Sequence, residues 1–111
     1  MNAKYDLHLT TAFMNASGSL GFAPDPRGPA DLERLGAFVT NPVSLGVRTP
    51  ARGPRYREFA GGFLVHSGFP NPGLRSVIQR NKAYWERSPI PVIVHLLVEN
   101  PEELSLMAPQ M

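Results

Sequence analysis

Cysteine is missing from all 111 residues. That excludes a disulfide framework, a cysteine-based zinc site and cysteine nucleophile chemistry within the chain. Charge is scarce: 18% of residues are charged and the net charge is +2. Two surplus positive charges, with few aromatics among them, do not make a nucleic-acid footprint. Long apolar runs are lacking as well; none reaches the roughly 18 residues that read as a membrane span. Residues 1–6 show no basic-then-apolar leader pattern, so a cytoplasmic setting is expected. His8, His66 and His95 lack a ligand spacing such as His-x-x-x-His, so no metal is expected. No internal repeat, Walker loop, nucleophile–base pair or acid/base carboxylate pair is visible.

What is present can fold. Hydrophobic residues make up 42%, enough for a core. Twelve prolines and ten glycines fall short of low complexity. The length alone suggests one domain. Nine of the eleven basic residues are arginine, and Arg48, Arg52, Arg55 and Arg57 cluster with only Glu58 in answer. Guanidinium groups bind phosphate or carboxylate through paired donors. The cluster therefore reads either as a solvated loop or as a contact to an anion or a partner subunit. A homo-oligomer is accordingly kept open.

Along the chain, residues 12–16 suggest a first strand, broken by Ser17-Gly18-Ser19. Residues 21–29 carry three Pro and two Gly and read as loop. Residues 31–35 suggest a short helix and 37–40 a compact strand. Residues 41–54 read as a long loop, 55–59 as extended and 63–65 as a short strand after Gly61-Gly62. Asn71 is a plausible N-cap with Pro72 at the first helical position, opening a helix to about residue 86. Residues 91–97 are almost all apolar and predict a strand buried on both faces, as in a parallel sheet. Asn100-Pro101-Glu102-Glu103 is a second helix start, running to residue 108. This alternation argues for an α/β fold with parallel strands.

Several motifs, in order, resemble the dihydroorotate dehydrogenase family. Asn15-Ala16-Ser17-Gly18 and Gly21 are similar to the end of its first barrel strand. Leu35 through Thr40 resemble its second strand. Ser44-Leu45 with Arg48, then Pro54-Arg55, match its following loop. Gly61-Gly62 and Gly68-Phe69-Pro70-Asn71-Pro72-Gly73 match its Gly-Gly and Gly-Leu-x-Asn-Pro-Gly. Residues 89–94 look like its third strand. The matches cover most of residues 12–108.

The resemblance implies a (β/α)₈ barrel with flavin mononucleotide (FMN) at the C-terminal ends of its strands, where such barrels keep their sites. It implies an oxidoreductase of pyrimidine biosynthesis, in which flavin takes hydride from a dihydropyrimidine-like substrate. Such a barrel takes ~250 residues. Residues 1–111 are therefore expected to be its N-terminal portion, about three βα units, inactive alone. The resemblance assigns Ala16, Ser17, Gly18 and Asn41 to the cofactor, and Ser67, Gly68, Phe69 and Asn71 to a small-molecule substrate. It assigns no catalytic residue; the family's Cys or Ser base belongs to a later loop.

Two positions depart from the pattern. Asn41 stands where the family usually has Lys, and Val65 where it has an Asn that binds the orotate ring. An anionic pyrimidine carboxylate would lose hydrogen bonds worth ~1.5–3 kcal/mol each when made to a charged group. This weighs against dihydroorotate itself. His95 stands where the family often has Asn or Ser. His66 and His95 read either as flavin or substrate contacts or, as lone histidines near strand ends more often are, as hydrogen-bonded fillers; Ser17 reads as a turn serine, and within the family pattern as a flavin contact. The alternative function is a small α/β binding or interaction module that has lost catalysis.

Overall fold

The computed structural model describes residues 7–111. After a 3₁₀ turn at Leu32–Arg34 come β1 (Phe38–Val39), β2 (Val43–Ser44), β3 (Tyr56–Phe59) and β4 (Gly62–Val65). They are followed by α1 (Leu74–Glu86), β5 (Val92–Ile93), β6 (Leu96–Leu97) and α2 (Pro101–Met107).

Parallel pairing joins three stretches of chain in sequence order. Met14 bridges Ala37, β1 pairs with β5, and β2 pairs with β6, all parallel. The expected first strand is thus only a single bridge at Met14. Just beyond it the Asn15 side chain acts as a peptide group would. Its Oδ1 accepts from the Val39 N–H at 2.8 Å and its Nδ2 donates to the Val39 carbonyl at 2.8 Å.

The middle stretch does not end at Thr40, as its sequence suggests. Val39 faces Ile93 and Val43 faces Leu96, so four steps on one side match three on the other. One extra residue forms a bulge, which shifts register and re-aims side chains. Proline accounts for it locally: Pro42 has no N–H to give. Thr40 N–H bonds the Ile93 carbonyl at 3.0 Å, and Val43 N–H takes the His95 carbonyl at 2.9 Å. Opposite the bulge, the strand expected over 91–97 is interrupted at Val94 and His95, splitting it into β5 and β6. The His95 N–H bonds the Thr40 hydroxyl at 3.1 Å instead. Residues 92–94, 96 and 97 are half-buried rather than buried on both faces. Among the described residues β5 and β6 each have one strand neighbour.

The extended stretch read at 55–59 and the short strand read at 63–65 are β3 and β4, which form an antiparallel hairpin beside the parallel pairs. Two residues, Ala60 and Gly61, cannot make the long crossover that parallel pairing needs. Every residue of this hairpin is exposed.

The short helix read over 31–35 is a 3₁₀ helix at Leu32–Arg34, with the Asp31 carboxylate accepting from the Glu33 N–H at 3.1 Å. Helix α1 starts at Leu74, later than its sequence suggests, with Gly73 as the N-cap residue. Helix α2 starts as read: Asn100 Oδ1 accepts from the Glu103 N–H at 2.9 Å, and Glu103 reaches back to the Glu99 N–H at 2.9 Å. That reciprocal arrangement resembles a capping box.

Val43, Leu74, Val77 and Met107 form the buried cluster, ringed by Phe22, Leu45, Ile78, Trp85, Val94, Leu96 and Val98. The core therefore lies between the two helices and one face of the parallel strands. Trp85 pins the 20–27 loop to this layer through a 2.7 Å indole bond to the Phe22 carbonyl.

Candidate functional site

Just beyond Met14, β1 and β5, the chain carries Ala16–Gly18, Thr40–Asn41 and His95 side by side, the last two at the break that precedes β2 and β6. Gly18 has φ +91°, and a Cβ built there would meet nothing within 4 Å. A side chain at this position would be strained and would fill the space above the backbone. Ala16 and Gly18 are exposed, so this turn is a shelf of bare backbone. The Ser17 hydroxyl bonds the Thr40 carbonyl at 2.7 Å and stands 2.7 Å from His95 Nδ1. One serine thus ties all three stretches together.

Asn41 is anchored to the loop that follows the shelf. Its N–H donates to the Gly21 carbonyl at 2.9 Å, and its Oδ1 accepts from the Gly21 N–H at 3.2 Å. The Thr40 side chain is fully buried, accepting from His95 N–H and donating to the Asn41 carbonyl at 3.0 Å.

The second group of candidates sits on the loop from Ser67 to Asn71. Gly68 has φ +80°, and a Cβ there would lie 2.7 Å from the Ala51 N, so glycine is required twice over. Phe69 also adopts left-handed backbone, at φ +51°, and its ring is half exposed. Ser67 Oγ accepts from the Phe69 N–H at 3.1 Å. Arg48 braces the loop by donating to the Gly68 carbonyl at 3.0 Å while facing Glu99 at 3.4 Å.

Asn71 is only 5% exposed, and the protein uses its whole amide. Oδ1 accepts from Ser44 N–H at 3.2 Å and Gly73 N–H at 2.9 Å. Nδ2 donates to Ser44 Oγ at 2.9 Å and the Phe69 carbonyl at 3.0 Å. Its backbone pairs both ways with Arg48. Asn71 therefore fastens the loop to the end of β2. No hydrogen bond joins this loop to the Ala16–Gly18 shelf among the described residues. Val65 lies in β4 opposite Tyr56, exposed, with no polar group to offer.

The sequence names these positions but not the long-range bonds that they make. Asn15, Thr40 and Arg48 act through partners 20 to 55 positions away, and the Ser17–His95 contact spans 78. The parallel register brings the first two and the Ser17–His95 pair together, and the antiparallel Arg48–Asn71 bridge places Arg48. A cavity of about 610 Å³ lies elsewhere, between residues 20–27 and Asn81 and Tyr84 of α1, and shares none of the candidate residues. No metal-holding group of His, Asp or Glu is found among the described residues. Among the described residues Tyr56 is the group whose titration is displaced: its hydrogen bond to Glu58, then desolvation, raises its pKa.

An open shelf at Gly18 suits a flat ring lying on backbone, so the strand ends fit a flavin. Fold and site together define an α/β domain with parallel strand pairs and polar side chains gathered just beyond β1 and β5. The sequence profile described as dihydroorotate dehydrogenase matches residues 3–110. The chain belongs to that family, a family of oxidoreductases. No curated protein matches it significantly.

Proposed function

We propose that the chain forms the flavin-facing strand ends of an FMN-dependent (β/α)₈-barrel oxidoreductase of dihydroorotate dehydrogenase type. The observation that carries the reading is the row of strand ends, with backbone bare at Gly18 and polar side chains gathered beside it. When bound, FMN supplies the hydride acceptor. Ala16, Ser17 and Gly18 offer the backbone on which its ring rests. Ser17 and Thr40 hold the three strand ends in register. Ser67, Gly68 and Phe69 close over a planar substrate, and Asn71 and Arg48 hold that loop in place.

Asn41 and Val65 favour a neutral dihydropyrimidine-like substrate over one carrying a carboxylate, since neither supplies a cation. The Ser17 proton is committed to a carbonyl, and a separate chain of these residues binds flavin without turning over. The exposed β3–β4 hairpin, with Tyr56, Phe59, Phe63 and Leu64 each more than half exposed, supports self-association. A cytoplasmic setting belongs to the same proposal; no helix among the described residues is long and apolar enough to cross a membrane.

The test is titration of the purified chain with FMN, read by flavin fluorescence, followed by addition of dihydrouracil and dihydroorotate. Saturable binding without bleaching of the flavin is the expected result. An unchanged flavin signal overturns the cofactor assignment, and bleaching overturns the lack of turnover. The second reading, a binding module that has lost catalysis, is favoured by the absence of a cation at Asn41. It predicts binding of a pyrimidine with no flavin binding at all.

A further inference from the structure

Counting donors and acceptors at the strand ends leaves two side-chain groups unspent. Asn15 gives both halves of its amide to Val39. Ser17 has one hydroxyl proton, and the Thr40 carbonyl 2.7 Å away can only accept it. The equally short contact to His95 Nδ1 must then be made by an imidazole N–H. In the neutral ring this fixes the tautomer: Nδ1 carries hydrogen and Nε2 keeps a lone pair. Nε2 has no protein partner among the described residues, and His95 is exposed.

Asn41 is oriented by the same logic. An N–H of Gly21 needs an acceptor, so Oδ1 faces it and Nδ2 faces away. Nδ2 also has no partner among the described residues. No buried side-chain nitrogen or oxygen lacks one, so Nδ2 reaches solvent. Asn41 lies in the bulge and His95 opposite it, in paired stretches of chain: one N–H donor and one lone pair.

We propose that His95 Nε2 and Asn41 Nδ2 together read the imide edge of a planar heterocycle. Nε2 accepts the ring N–H, and Nδ2 donates to the adjoining carbonyl. This rests on the flavin reading above and deepens it by naming the edge that is recognised. Flavin and a pyrimidine substrate both carry such an edge, so the shared chemistry is the imide. The Ser17 side chain is the positioning group: it holds the histidine tautomer, and its hydroxyl touches no ligand.

The experiment uses the whole chain and two pairs of probes, riboflavin against 3-methylriboflavin and uracil against 3-methyluracil. Methylation removes the N–H and leaves the rest of each ring. Loss of one such bond is expected to weaken binding roughly twofold to tenfold. The difference disappears in His95→Phe. Discrimination within the flavin pair supports flavin as the source; discrimination within the uracil pair alone supports the pyrimidine. Equal affinities in both pairs overturn the proposal and leave the flavin reading standing if the flavins bind. Binding of no probe overturns both.

A ligand-free readout guards against a variant that fails to fold. Nitrogen-15 NMR at mildly alkaline pH should show His95 protonated at Nδ1, with Ser17→Ala populating both tautomers. A dominant Nε2–H form in the native chain overturns the proposal outright.

Discussion

Replacing Asn71 with alanine tests the claim that a single amide holds the 67–71 loop to the end of β2. The change removes four side-chain bonds at once. Two of the stranded partners are the N–H groups of Ser44, 8% exposed, and of Gly73, which is buried. A buried donor left without an acceptor costs ~1–3 kcal/mol, so the pair costs roughly 2–6 kcal/mol. Domains are stable by only ~5–15 kcal/mol, and small ones sit low in that range. Asn71→Ala should therefore remove a large share of the stability. Asn41→Ala is the control. It loses one 3.2 Å bond at a half-buried position that water can enter, worth ~1 kcal/mol. Urea unfolding followed by Trp85 fluorescence measures both, because this lone tryptophan packs against the core. The expected result is a much lower midpoint for Asn71→Ala at an unchanged slope. Equal shifts for the two variants would refute the reasoning.

Phe69→Gly relieves a left-handed backbone that costs ~1–2 kcal/mol for a non-glycine residue. Less the added glycine entropy of ~0.5–1 kcal/mol, urea midpoints should rise slightly; a fall would show that the ring packs in the native state. Met107→Ala empties a fully buried position between the helices and should cost ~2–5 kcal/mol by the same unfolding assay. Tyr56 titrates above the ordinary tyrosine value because its hydroxyl donates to Glu58 at 2.9 Å. A raised folded pKa contributes stability below the unfolded pKa, and that contribution fades as pH climbs through the folded one. Absorbance titration should therefore show one tyrosine ionising late, and Glu58→Gln should bring it earlier.

What the sequence shows clearly is what short-range chemistry decides. The Asn100–Glu103 cap is a bond between residues three apart, and it forms as read. Asn71-Pro72 carries the same local signature and does otherwise. There the carboxamide bonds Ser44, 27 residues distant, as well as Gly73, and the helix begins only at Leu74. A cap signal states that an acceptor is available, not which donor claims it. The bulge at Thr40–Pro42 is equally hidden. Pro42 announces a missing N–H, but the register change needs β5 and β6 on the opposite side. The hairpin is legible as two strands, but their pairing was not read from the sequence. Its Ala60-Gly61 link dictates antiparallel pairing, while its residues show none of the one-sided burial that makes a strand's direction legible.

The candidate residues then divide by what the protein has already asked of them. A side chain whose hydrogen bonds are satisfied internally shapes a site; one left with an open valence can recognise a ligand. Asn71 and Asn15 belong wholly to the first kind. Ser17 belongs there too, since its proton is given to Thr40 and its lone pair faces His95. On the function proposed above, recognition falls to bare backbone at Ala16 and Gly18, to the exposed Phe69 ring, and to the two open groups on Asn41 and His95. None of these is a permanent cation. A site so composed selects for planarity and for the pattern of donors and acceptors on a ring edge, and gains little from a negative charge on its ligand. The departure at Asn41 is thus a change in what the strand ends can read, with the fold that presents them intact.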